Sequence, residues 1–380
     1  MNATPAASHS LDRRTFIKTA GGVAVLAALP GALSAASDEK PVVLAFVGCA
    51  HIHTPGFIKL INADRPNVRV KSVWDHDLAR AQKRAEELSA AVEPDLSKIW
   101  ADPEVVAVVI CSETNRHRDL VLGAAAAGKH IYAEKPLGIT AAESAEMADA
   151  ISKAKVLFTT GYFMRTIPAM RFLKDQVDRG AFGTITRISG SNCHNGSLGG
   201  WFDAKPGTPW ENWRWMADPA VSGIGGFGDL GTHMLDIMMW MCGDVVKVTA
   251  ETRVVTGRYG ECDEAGEALL SFKSGIIGTL AASWVDIADP VSLQISGTQG
   301  NAALIRGNLF FKCPKIEGAD GLHPWTDLPQ EQPAPLQQFL NAVAGQTGMP
   351  LVPVHEAAAR VAVMEAAYRS ARSGLSVKMT

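Results

Sequence analysis

Between residues 42 and 163 short unbroken apolar runs alternate with longer amphipathic ones. The apolar runs are VVLAFV (42–47), VRVKSVWD (68–75), VVAVVICS (105–112), HIYAEKP (130–136) and VLFTTGYF (156–163). Between them lie GFIKLINA, HDLARAQKRAEELSA, RDLVLGAAAAG and AAESAEMADAISKA, with apolar residues at helical spacing. A strand that is apolar on both faces belongs in a sheet covered on both sides, which is the environment of parallel strands. Strand–helix alternation predicts an α/β domain: a Rossmann-type, doubly wound parallel sheet with right-handed crossovers. Its ligands bind outside the carboxyl ends of the strands.

Beyond residue 165 the pattern changes. One helix, AMRFLKDQVDRG, leads to TITRISGSN and then to a Trp- and Pro-rich stretch at 199–221. A helix is expected from about Asp229 to Met241. After it come alternating segments such as VVKVTAETRVV, EALLSFKSG and IIGTLAASWV, joined by short Gly turns. These predict an α+β domain with an open, mostly antiparallel sheet. Residues 334–374 read as helical, ending at Gly374. The expected divisions are 40–163, 164–333 and 334–380.

The first 36 residues stand apart. DRRTFIK (12–18) precedes a weak apolar stretch rich in Gly and Ala that contains Pro30, and Ser34 and Ala36 fit a small-residue cleavage rule. This resembles a twin-arginine export signal, cleaved after about Ala36. It predicts the export machinery as a partner, a periplasmic location and no stable membrane insertion. That route carries folded proteins into a compartment without a soluble nicotinamide pool, so any nucleotide is expected to be tightly held. The formal charge of −3 shows no basic excess, and nucleic acid is not an expected partner. None of the six cysteines forms a C-x-x-C pair, and buried free thiols are the expected state.

The first candidate site follows the first strand. Gly48, Cys49, Ala50, His51 and His53 stand where a G-x-G-x-x-G phosphate turn is expected. Gly48 suits the tight turn. Ala50 replaces the second glycine and His53 the third. Asp75, at the end of the second strand, is placed to accept both ribose hydroxyls and repel a 2′-phosphate, which favours NAD, with NADP the alternative. The competing reading makes Asp75 a helix cap. His51 and His53 could instead bind a divalent metal with Asp229 or His233 in a lyase or hydrolase. No third ligand is fixed by spacing, so no metal is expected.

Two more motifs follow. AEKPLGIT (133–140) places Glu134 and Lys135 over the mouth of the sheet. GGFGDLGTH (225–233) puts Asp229 and His233 at i, i+4 on one helical face, as a general acid–base pair would be. In this order the motifs resemble the glucose–fructose oxidoreductase, inositol dehydrogenase and MocA-like family. AFGTITRI (181–188) and GTQGNAALI (297–305) are similar to phrases of the same family. The resemblance implies a nicotinamide-dependent oxidoreductase of sugars, polyols or their derivatives, assembled as a homodimer or homotetramer. It implies that Lys135 is the catalytic lysine, that Asp229 assists, and that His233 is the general base. Ser112, Thr114, Asn115 and His117 would join the loop residues and Glu134 around the cofactor, with Arg165 a substrate contact. The departures are Ala50 and His53. Some exported members cleave glycosides by transient oxidation, elimination and re-reduction, and this is the alternative activity.

The aromatic stretch adds a hint about substrate. Trp201, Trp210, Trp213 and Trp215 lie within fifteen residues of Glu211, Asn212 and Arg214. Trp213, Arg214 and nearby His194 are candidate sugar contacts. The indoles could equally pack a core or a subunit interface.

Overall fold

The structure is a computed structural model that describes residues 41–379 except 64, 66, 205, 206 and 208–211. The expected export signal lies outside the described residues, as do Trp210 and Glu211. No helix among the described residues is long and apolar enough to cross a membrane.

The first sheet is built from β1 (Val42–Val47), β2 (Val68–Trp74), β3 (Ala91–Val92), β4 (Ala107–Ile110), β5 (His130–Ala133) and β6 (Phe158–Thr160). Its helices are α1 (Thr54–Asn62), α2 (Leu78–Leu88), α3 (Leu96–Ala101), α4 (His117–Ala126) and α5 (Ala141–Ala154). The strands run parallel in the order β3-β2-β1-β4-β5-β6, the doubly wound arrangement that the apolar runs predict. The short pair β3 and α3 carries too few apolar residues to register in that pattern. The predicted strands overrun the sheet at their carboxyl ends. Residues 111–112 and 134–136 leave the ladder and form the loops that carry Ser112, Glu134 and Lys135.

The second unit opens with α6 (Pro168–Asp178), β7 (Ile185–Cys193), α7 (Pro219–Ser222) and α8 (Gly226–Cys242). Then come β8 (Val245–Arg253), β9 (Ala265–Phe272), β10 (Ile277–Ser283), β11 (Val291–Gly297), β12 (Asn301–Ile305), β13 (Asn308–Lys312) and β14 (Asp320–Pro324). The chain ends with α9 (Pro335–Val343), α10 (Val354–Ser373) and β15 (Val377–Lys378). Nine strands form one sheet, β14-β13-β12-β11-β7-β10-β9-β8-β15. Every pair in it is antiparallel except β7 with β10.

Helix α8 is buried almost all round. It lies against β7 and β10 because both strands carry glycine at the crossing. A Cβ at Gly190 would fall 2.5 Å from Met234 Cγ, and one at Gly278 would fall 3.0 Å from Met238 Cε. The C-terminal helices join the two cores. Leu336, Phe339 and Leu340 of α9 are fully buried under the first sheet, each worth about 1.5–3 kcal/mol on transfer from water. Helix α10 gives Ala357 and Val361 to the first unit and Met364, Ala366 and Ala367 to the second. All six cysteines are free thiols.

Candidate active site

The site forms where the carboxyl ends of β1, β4, β5 and β6 meet the start of α8. Gly48 turns the chain out of β1 at φ 86°, and a Cβ there would fall 2.4 Å from Ser112 Cβ. Only glycine fits this crossing of the two loops. The next residues spend most of their amides within the protein. The Cys49 amide donates to Asp75 Oδ2 (2.7 Å), His51 to the Cys111 carbonyl (2.8 Å), His53 to His51 Nδ1 (3.2 Å) and Thr54 to the His51 carbonyl (3.0 Å). Among the described residues the amides of Ala50 and Ile52 have no protein acceptor, although Ala50 is buried. Buried donors left in this way suit an anion. The Trp215 indole reaches across from the second unit and donates to the Ala50 carbonyl at 3.2 Å.

Asp75 is buried and completely engaged. Arg80 grips it through Nε (2.9 Å) and Nη2 (2.7 Å), and the amide of Asp77 donates to Oδ1. Helix α2 is capped by Asp77 itself, so Asp75 is not the cap. Arg80 also reaches Glu113 at 3.0 Å, and His76 lies between the same two carboxylates. Neither Arg80 nor Glu113 stands out in the sequence. Arg80 sits in a helix whose charges read as an outer face, and only the fold turns it back over the end of β2.

Glu134 is wholly buried at the end of β5. It accepts from the Lys135 amide (3.0 Å) and faces His53 Nδ1 (3.2 Å) and His51 Nε2 (4.0 Å). Burial opposes its charge, but the combined surroundings of His51, His53 and Lys135 hold the carboxyl well below the usual range. Burial pushes His51 down to about 3, so its ring is neutral. The Lys135–Pro136 bond is cis. Lys135 projects to α8, where its Nζ meets Asp229 Oδ1 at 2.5 Å. The other oxygen, Oδ2, accepts from the Trp284 indole at 3.0 Å. Burial raises the Asp229 carboxyl, but Lys135 wins and the group is held well below its ordinary value.

His233 lies one turn further along α8, between the rings of Tyr162 and Phe163. Burial drives its pKa well down, and the neighbouring Lys135 acts in the same direction. Its Nδ1 is buried and has no hydrogen-bond partner among the described residues. A neutral imidazole with an unused ring nitrogen beside a lysine–carboxylate pair can take a proton from a hydroxyl.

Several other candidates serve to hold the frame. His117 is fully buried, with Nδ1 3.1 Å from the Pro136 carbonyl and Nε2 3.3 Å from the Ser112 carbonyl, so its one ring N–H donates to one of the two. Ser112 and Thr114 are buried in the loop after β4, and Asn115 is exposed. The Arg165 guanidinium is not directed at the site: it is paired with Asp236 (2.6 Å) and Glu356 (2.5 Å). Trp213 is buried in the second core. Arg214 pairs with Asp203 at 3.3 Å and stacks over Tyr259. His194 packs on Trp201 and accepts from the Gly196 amide through Nδ1 (2.9 Å).

A doubly wound domain joined to an open-sheet domain, with a Lys–Asp pair and a neutral His where they meet, defines a two-domain oxidoreductase of the Rossmann class. Residues 42–162 match the model of an oxidoreductase family with an NAD-binding Rossmann fold, and residues 170–303 match the GFO/IDH/MocA C-terminal domain. The chain therefore belongs to the GFO/IDH/MocA oxidoreductase family, and its first domain is the NAD-binding domain of that family. Levoglucosan dehydrogenase of Pseudarthrobacter phenanthrenivorans is 31% identical over 231 residues, 54% of this chain and 57% of that protein. The chain thus aligns with little more than half of that relative. The NAD(+)-dependent scyllo-inositol 2-dehydrogenase of Bacillus subtilis is 26% identical over 329 residues, 83% of this chain and 90% of that protein. Among solved structures, GenD2 from gentamicin A biosynthesis, in complex with NAD, superposes with a TM-score of 0.71 at 25% identity, covering 90% of this chain and 97% of that one.

Proposed function

We propose that the chain oxidises or reduces a hydroxyl-bearing carbon of a sugar or polyol, using NAD that it retains through export by the twin-arginine route. The observation that carries this reading is the orphaned Nδ1 of His233, buried beside the Lys135–Asp229 pair. A substrate hydroxyl would satisfy that nitrogen. The compounds for which these relatives are named, levoglucosan and scyllo-inositol, are of this kind.

The residues present fit the nucleotide. The Gly48 turn and the free amides of Ala50 and Ile52 would face the pyrophosphate, with the Trp215 indole over the loop. Asp75 would lie at the adenine-ribose end of the loop, but its two oxygens are already taken by Arg80 and by the amides of Cys49 and Asp77, so it would act there through Arg80 rather than accept both ribose hydroxyls itself. Bound NAD supplies a hydride acceptor. Lys135 donates from Nζ to the substrate oxygen and steadies its developing charge. His233 takes the hydroxyl proton at Nδ1. Asp229 keeps Lys135 in place, and Trp284 keeps Asp229 in place through its indole N–H. The buried Tyr162 and half-exposed Phe163 narrow the access of water to the imidazole. The Arg13–Arg14 pair and the stretch after it support export.

The test is to purify the full chain, denature it, and look for released nucleotide by absorbance and mass. A panel of sugars, polyols and aryl glycosides is then screened for nucleotide reduction. Protein that releases no nucleotide and binds neither NAD nor NADP in calorimetry would overturn the reading. Glycoside cleavage without net NADH would replace the simple dehydrogenase with the transient-oxidation route.

A further inference from the structure

The pair of histidines at the first loop has an unexpected third neighbour. His51 and His53 project from the end of β1, and Glu134 comes from the end of β5. One ligand atom from each falls within 4.8 Å of the other two. The geometry points to a divalent-cation site made by His51 Nε2, His53 Nδ1 and the Glu134 carboxylate. It is independent of the hydride chemistry proposed above.

Four observations support it. The first is the donor set itself. Two imidazoles and one carboxylate form the three-ligand pattern of open metal sites, which leave positions for water or a substrate oxygen. The second is charge. Glu134 is wholly buried and carries a negative charge, yet its side-chain partners among the described residues are only the two imidazoles. Lys135 is already neutralised by Asp229 at 2.5 Å. No ammonium or guanidinium is paired with Glu134 among the described residues, so a divalent cation would find this buried carboxylate still open to a full positive charge. The third is orientation. The Lys135 amide fixes Glu134 Oε2 at 3.0 Å, and Trp215 packs at 5.9 Å from the His51 ring, so neighbouring groups already aim two of the ligands. The fourth is access. His53 and Glu134 both line a cavity of about 390 Å³ that is walled by Phe57, Tyr132, Phe163 and Pro335. Vacant coordination positions would open into it.

In the metal-free protein the His53 amide donates to His51 Nδ1, so the ring proton of neutral His51 sits on Nε2 and points at Glu134. A cation entering at Nε2 moves that proton to Nδ1 and breaks one 3.2 Å bond. The His53 ring is half-exposed, so water can satisfy its Nε2 once Nδ1 faces an ion. Two imidazole nitrogens and one carboxylate then hold the ion. This set of two nitrogens and one oxygen suits borderline cations such as Zn²⁺, Co²⁺ or Ni²⁺ rather than Ca²⁺.

The test uses full-length, untagged protein stripped with a chelator and titrated with Co²⁺, whose visible d–d bands report nitrogen ligation without any assay of activity. Saturation at one equivalent per chain is expected, reversed by Zn²⁺. His53→Ala, on a half-exposed ring, and Glu134→Gln should each weaken Co²⁺ by at least ~100-fold, since even an outer-shell partner of a ligand commonly costs 10–100-fold. His323→Ala, which removes an exposed imidazole paired only with Asp320, should change nothing. Circular dichroism and a thermal melt confirm that each variant is folded. Absence of the bands in the wild-type chain, or unchanged saturation in folded His53→Ala, would overturn the site.

Discussion

Replacing Lys135 with Met removes one half of a buried ion pair and leaves the other half where it is. Lys135 is 4% and Asp229 7% exposed, and their charges meet at 2.5 Å. With an effective dielectric constant of about 20, that separation gives roughly 6–7 kcal/mol of attraction. Desolvation of the two ions offsets most of it, at several kcal/mol each. The intact pair is therefore worth little net, whereas a broken one is expensive. In Lys135→Met the Asp229 carboxylate keeps only the Trp284 indole. The expected loss is about 3–5 kcal/mol, the usual cost of one uncompensated buried charge. Asp229→Asn should lose a similar amount, because it strands the ammonium instead. The double variant Lys135→Met/Asp229→Asn removes both charges, and most of the loss should return, with a coupling energy on the order of 3 kcal/mol. Urea midpoints and thermal melts of the four proteins measure the cycle. Turnover should behave differently. Each single variant should fall by ~10²–10⁴ if Lys135 handles the hydroxyl, and the double variant should stay as low, because a neutral pair restores packing but not chemistry. Additive stability losses would show that the two charges do not sense one another. Recovery of turnover in the double variant would show that the pair only supports the fold.

His233→Ala should lower turnover by ~10²–10⁴ and leave nucleotide content unchanged, since the imidazole contacts rings rather than the nucleotide loop; full turnover would exclude it as the base. Asp75→Ser should relax the preference for NAD over NADP, because it removes the carboxylate and frees Arg80 to meet a 2′-phosphate; an unchanged ratio of the two affinities would show that Asp75 serves only to hold Arg80. Burial raises Asp263 to about 6, against 3.8 for the free group, so the folded state binds the extra proton. Its stabilising effect is complete below about pH 4 and is lost as pH rises through 6, on the order of 2–3 kcal/mol, and melts across that range should flatten in Asp263→Asn. Gly48→Ala should unfold the loop or abolish nucleotide retention, since it forces a side chain into φ 86° against Ser112; wild-type nucleotide content would refute that account.

The fold was legible because its signal is one-dimensional. The strands of the first sheet are apolar on both faces, and that pattern survives in the sequence however the strands are ordered. The same holds for Lys135, Asp229 and His233, which lie in short motifs at strand and helix ends. What stayed hidden depends on crossings between distant segments. Arg80 reads as one charge on an amphipathic helix until α2 folds back over β2, where it takes both oxygens of Asp75. Arg165 reads as a free cation just past the sheet until α8 and α10 bring Asp236 and Glu356 to it. Glu134 belongs to the lysine motif in sequence and to the histidine loop in space, across 81 residues. Spacing alone therefore assigned His51 and His53 two ligand atoms and no third. The parallel sheet puts β1 and β5 on either side of β4, and the loop after β5 reaches back to the histidines. A third glycine at position 53 would leave Glu134 buried with no imidazole against Oε1. The departure at that position and the buried acid are thus two halves of one feature, and replacing His53 alone tests both.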